Sequence, residues 1–368
     1  MSRTVPLILF LALILLIGPM YSLIVAKASV TGHSQSSVQY AANIFSGNNT
    51  SNETQWTGFT GAQGVAIGDL YNNGSEETAI SEGVVGTVIV VKSDGKTIAQ
   101  EFNGLGDPFG VAIGDLYNDG VNVIAIAETG GSEVTVCKVD GTVVHKFLGL
   151  IQPVGVAIGD FYNDHQNVIA ISDNGSGSVI VLNSDGTIMH NFTGFSQPEG
   201  VAIGDFSNDG KNEMAIADSG TNEVYVIDSN GNIVMEWRGL GQPMGVAIGD
   251  YDNLGLNEIA ITETYPVGKV TVYADNGTTI VANWTDRNDP IGVAIGDVYN
   301  NGRNGLVFTE VSNLTIEISN AETSVPEFPS LSLVLALMVT ALVAVMVCRR
   351  RVGNLSSSFQ IQAHNNQA

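Results

Sequence analysis

Positive charge is scarce in this chain. Lys and Arg number 14 in 368 residues, against 37 Asp and Glu. Five of the 14 lie in or beside two terminal apolar runs. Between those runs stand all 37 acids and the bases Lys92, Lys96, Lys138, Lys146, Lys211, Arg238, Lys269, Arg287 and Arg303, so residues 29–330 carry a net charge near −28. Such a surface repels nucleic acid and anionic lipid, which excludes both as partners. Cysteine is nearly absent too. Cys348 closes the second apolar run and leaves Cys137 alone, so no intrachain disulfide is expected, and Cys137 reads as a small buried apolar residue. The five histidines form no cluster with metal-ligand spacing, and no Gly-x-Ser-x-Gly nucleophile motif occurs.

The apolar runs read as targeting and anchoring. Arg3 precedes the run from Pro6 to Ile17, and Ala26-Lys27-Ala28 is a small-x-small site, so residues 1–28 are expected to be a signal peptide. The run at 331–348 has 18 residues without a charge, enough to span a bilayer core, and Arg349, Arg350 and Arg351 follow it. The expected topology is a single-pass membrane protein with its acidic part outside the cell and the tail 349–368 inside. Residues 29–52, rich in Ser, Asn and Gly, read as a flexible stalk, and 321–330 as a linker. Sequons at Asn48, Asn49, Asn52, Asn73, Asn174, Asn191, Asn276, Asn283 and Asn313 make an exported chain a candidate glycoprotein.

What the middle has in abundance is repetition. Gly-Val-Ala-Ile-Gly-Asp begins at Gly64, Gly110, Gly155, Gly200, Gly245 and Gly292, at spacings of 46, 45, 45, 45 and 47 residues. A period of that length means one supersecondary unit stacked or set in a ring. In the fourth copy, short apolar runs at Gly200 to Asp205, Glu213 to Asp218, Glu223 to Asp228 and Asn232 to Trp237 are separated by turn signals, including Asn230-Gly231. Four strands per repeat, with no helical period, predict an all-β protein of four-stranded antiparallel blades, a β-propeller. Each fourth strand ends in an aromatic residue eight positions before the next repeat, and Trp56 holds that place before Gly64. The last repeat lacks a fourth strand and Pro326 ends the pattern. The spare strand around Gln55 to Phe59 is therefore expected to complete the last blade, closing six blades over residues 53–320 and covering an open sheet edge.

The pattern Pro198-Glu-Gly-Val-Ala, Met214 to Asp218, Asn222-Glu-Val-Tyr-Val and Gly231 resembles NHL-type propeller repeats, which implies the six-bladed fold and, for function, binding scaffolds or a few lyases. The turn after each first strand resembles the Asp-rich loops of FG-GAP and VCBS repeats, which implies calcium. The fourth copy fits that loop best, with Asp205, Ser207, Asp209 and Glu213 as ligands and Gly210 at the sharp turn. An Asx-type turn explains the same residues without a metal. The segment Pro326, Glu327, Phe328 before the last apolar run resembles the PEF-type sorting signals of archaeal surface proteins, which implies processing by a sortase-like membrane enzyme.

Two sets of acids repeat with the blades. Asp69, Asp115, Asp160, Asp205, Asp250 and Asp297 end the first strands. Glu82, Glu128, Asp173, Asp218, Glu263 and Glu310 end the second. Consecutive strands run oppositely, so the sets mark opposite faces of a ring. Six close carboxylates repel one another unless each has donors of its own. His145 and His190 fall on outer strands, far from any channel. The expectation is a non-enzymatic surface module binding an extracellular protein or glycan, with calcium as the one candidate cofactor. The alternative is an extracellular lyase or hydrolase with a metal-assisted site in the channel.

Overall fold

A computed structural model describes residues 53–311 and 315–320 of the chain. The signal peptide, stalk, linker, membrane segment, tail and Pro326–Phe328 motif expected above lie outside those residues. Among the described residues no helix is long and apolar enough to cross a membrane.

Six four-stranded antiparallel sheets follow one another. The fourth consists of Pro198–Gly204, Glu213–Asp218, Glu223–Ile227 and Ile233–Arg238, from the channel outward. Its inner strand starts two residues earlier than the sequence pattern suggests. Proline has no N–H to give to a ladder, so it is tolerated at a strand's first position. A bulge between Pro198 and Val201 absorbs the extra residue, and the same irregularity recurs in the other five inner strands.

The last sheet is built from both ends of the ring. Glu53–Thr57 pairs antiparallel with Thr315–Asn320, Trp56 standing opposite Ile316. The outer strand is thus supplied from the start of the domain, as expected. The inner strand Pro290–Gly296 in turn contacts Ala62–Gly68 of the first blade, so the circle closes.

The described residues share no single core. Six apolar clusters fill the six seams, each drawing on two neighbouring blades. Successive residues of a strand point to opposite faces of its sheet. Val65 therefore packs toward the last blade and Ala66 toward the second. This explains why blades are apolar on both sides while the outer strands alternate.

The first glycine of the repeated motif has a steric cause. A Cβ on Gly64, Gly110, Gly155, Gly200, Gly245 or Gly292 would lie 2.2–2.6 Å from the backbone oxygen of the next blade's inner strand. Only glycine allows the strands to converge so closely. On the outer rim the aromatic residue of each fourth strand packs beneath the next blade. Trp237 Nε1 donates to Gly277 O at 2.9 Å, and Trp56 lies against Gly95 across the closing seam. His145 lies tilted against Phe147 and His190 stacks on Phe192, with ring centroids 4.4 and 4.0 Å apart, as part of this rim. Cys137 is buried, and burial pushes its thiol up to about 11, so it is inert.

Candidate functional site

The Asp set lies just beyond the inner strands on one face. In all six loops the two carboxylate oxygens accept the backbone N–H groups four and five residues on, at 2.6–3.1 Å. His165 keeps this turn without the usual glycine by taking φ +65°. The repeated Asp is therefore a turn-forming residue in every blade, whatever else it does.

The same face carries a ring of asparagines that single-repeat reading does not reveal. Asn72, Asn118, Asn163, Asn208 and Asn253 each accept, at Oδ1, the backbone N–H of an asparagine in the following blade: Asn122, Asn167, Asn212, Asn257 and Asn304. Those residues in turn donate Nδ2 to the carbonyls of Asp69, Asp115, Asp160, Asp205 and Asp250 at 2.7–2.9 Å. At the closing seam Glu76 takes the second role: its N–H reaches Asn300 Oδ1 at 2.5 Å and its carboxylate accepts Asp297 N at 2.6 Å. The asparagines at two registers of the repeat, six from Asn72 to Asn300 and five from Asn122 to Asn304, were the available signal.

Two loops gather three carboxylates with oxygens within 4.8 Å of one another. One holds Asp205, Asp209 and Glu213, and the other Asp250, Asp252 and Glu258. The first is the loop expected from the sequence. Its Ser207 uses its hydroxyl to donate to Glu213 Oε1 at 2.5 Å. The second has Leu254 at the fifth position of the loop, where it contributes only its N–H, to Asp250 and Asp252. Burial, with Asp252 and Asp250 nearby, pushes Glu258 up to about 7 against the help of the Tyr251 N–H. Three crowded carboxylates offer the hard oxygens that calcium takes, so both sets fit calcium, and in the first Lys211 Nζ stands 3.8 Å from Asp209 Oδ2.

The second set of acids lies on the opposite face and is buried. Each clamps the loop entering its own blade, accepting a backbone N–H: Thr60 to Glu82, Gly106 to Glu128, Gln152 to Asp173, Gln197 to Asp218, Gly241 to Glu263 and Asn288 to Glu310, at 2.5–3.0 Å. Hydroxyls complete the seam. Ser81, Ser172, Thr262 and Thr309 each accept an N–H from their own inner strand and donate to a carbonyl of the next.

The channel neck holds free space of about 60 Å³, room for a few waters. Its lining is the Gly-Val pairs of the inner strands with Phe109, Val154, Met244 and Ile291, and includes no carboxylate, imidazole or thiol. Where the inner strands begin, the residue after each strand's first is Gln63, Phe109, Val154, Glu199, Met244 and Ile291. Six different residues thus stand beside an otherwise repeated motif. The position lies outside both sets of repeated acids and away from the histidines, and aligning the repeats on their proline exposes it.

The fold and this mouth define a six-bladed β-propeller. No known family model matches the chain, and no curated protein matches it. Among solved structures it is similar to a gluconolactonase from Xanthomonas campestris, at TM-score 0.54 and 14% identity over 73% of this chain and 90% of that one. It is also similar to virginiamycin B lyase from Staphylococcus aureus, at TM-score 0.51 and 15% identity over 78% and 96%. BBS1N, solved in complex with ARL6DN, matches at TM-score 0.51 and 14% identity over 73% and 94%. Two are enzymes and one sits in a protein complex, so these likenesses define the fold alone.

Proposed function

We propose that the chain is an exported, membrane-anchored propeller that binds an extracellular protein or glycan at the cell surface through its channel mouth. The observation that carries this reading is the contrast between the twelve repeated acids, all engaged by backbone N–H groups, and the mouth position, which differs in every blade. A ring so regular elsewhere has no structural need for that variety. The acidic composition, the N-terminal signal pattern and the apolar run followed by Arg349, Arg350 and Arg351 support export and anchoring. Pro326, Glu327 and Phe328 are the proposed recognition point for a sortase-like enzyme, and the sequons for glycans. Calcium in the loops of blades four and five would neutralise their acids and stiffen that face. A metal-assisted reaction in the channel finds no donor at the neck.

Glycan and protein arrays probed with the full-length chain test this reading. Phe109→Ala with Met244→Ala should abolish the signal and Asp209→Ala should preserve it. Loss through Asp209→Ala alone would move the site to the other face.

A further inference from the structure

Of the six mouth residues, Glu199 alone is ionisable. It is 8% exposed. Oε1 accepts Asn174 Nδ2 at 2.8 Å and Ser219 Oγ at 2.9 Å, and among the described residues nothing donates to Oε2. Burial raises its carboxyl above the usual range, and the neighbouring charge of Asp218 has the same sign. No Lys or Arg of the described residues pairs with it. A buried carboxylate without a cation is costly to hold. The fold does not require it, because five blades place an uncharged residue there. Of its two partners, Asn174 is the one amide at a position that other blades fill with Gly83, Thr129, Thr264 and Val311, while Ser219 keeps the hydroxyl that Thr129 and Thr264 also carry. Three polar residues thus converge on one seam of a mouth whose adjoining positions, Val154 and Met244, are apolar.

We propose that this seam recognises an organic cation, an ammonium or guanidinium group on an apolar stem, with the charge at Glu199 Oε2 and the stem against Val154 and Met244. Asn174 and Ser219 orient the carboxylate by holding its other oxygen. The same chemistry is offered by a free alkylamine or by a Lys or Arg side chain of a partner. This inference rests on the binding reading above and names its ligand class.

Calorimetry on the full-length chain at 0.3 M salt tests it with n-pentylammonium, N-acetyl-lysine methylamide and, as the uncharged control, 1-pentanol. The chain should bind the cations and not the alcohol, and a preference for the lysine derivative would identify a polypeptide as the source. Glu199→Gln should weaken binding about tenfold or more without lowering the unfolding temperature. Glu101→Gln, an exposed acid on an outer strand, should leave affinity unchanged. Equal affinity in Glu199→Gln, equal binding of pentanol, or no binding of either cation overturns the proposal. If an array ligand still binds and is lost in the Phe109 and Met244 variant, the binding module stands and only the cation site falls.

Discussion

The two faces of the ring carry the same number of repeated acids and use them in different ways. On the face after the inner strands, each Asp folds its own loop, and asparagines tie each loop to the next blade. On the opposite face each acid clamps the loop that enters its blade, and the residues around the channel mouth vary. The first face is a belt built by local hydrogen bonds. The second is a frame whose centre is left open to specialise. A repeat protein keeps its architecture where neighbours must match, and can diverge where a side chain meets no neighbour's equivalent.

The largest expected effect breaks the circle on which both faces depend. Deleting residues 53–59 removes the strand that pairs with Thr315–Asn320 and the Trp56 packing at the rim. Cooperative thermal unfolding followed by circular dichroism should be lost, or its midpoint should collapse. A midpoint unchanged within a few degrees would show that closure contributes little.

Glycine substitutions separate the mouth side from the belt. Gly155→Ala puts a Cβ 2.3 Å from Glu199 O and 2.7 Å from Ser172 Oγ, and should destabilise by about 3 kcal/mol. Gly210→Ala, at φ +87° with nothing within 4 Å, should cost only about 1 kcal/mol. Denaturant midpoints measure both, and equal costs would refute the close-packing account.

Acidity sharpens the contrast on the belt side. Glu258, 4% exposed, titrates at about 7 in the folded protein and at its ordinary value of 4.5 when unfolded. Its folded pKa is raised, so stability is greatest below the unfolded pKa and falls as pH rises from about 4.5 to 7, by at most roughly 3 kcal/mol. Glu258→Gln should flatten that slope in denaturant titrations. Millimolar calcium should flatten it too, because a bound cation favours the ionised carboxyl. An unchanged slope in the mutant would assign the pH dependence to other acids.

The smallest effect falls on a single link of the belt. Asn208→Ala removes the acceptor for Asn257 N and the donor to the Phe206 and Asn257 carbonyls, and should cost about 1–2 kcal/mol. Proteolysis of the loop around Asn208 should accelerate more than global unfolding. Equal acceleration in all six loops would show that the belt responds as a whole.

Much of this architecture was legible in the chain. The count of fourth strands, with Trp56 left over and Pro326 ending the last repeat, anticipated closure because strand number and aromatic position are local properties. The Asp205, Asp209 and Glu213 cluster was visible for the same reason. The fifth loop is harder to read from sequence because Leu254 offers no side-chain oxygen, while the turn uses its N–H. Glu199 was overlooked because its meaning lies in Asn174 and Ser219, which stand 25 residues before it and 20 after.

By itself the sequence determined the blade. Alternation, turn residues and the 45-residue period act over a few positions, and hydrophobic patterning with backbone sterics is enough to specify four antiparallel strands and their number of copies. Tertiary structure alone decided what the acids and asparagines do. The Asp205 carboxylate beside two N–H groups of its own loop forms a turn, the buried Asp218 carboxylate clamps the loop entering its blade, and the buried Glu199 carboxylate is held by side chains of its own and the preceding blade. That distinction depends on donors brought from neighbouring blades, whose distance in sequence bears no relation to their distance around the ring.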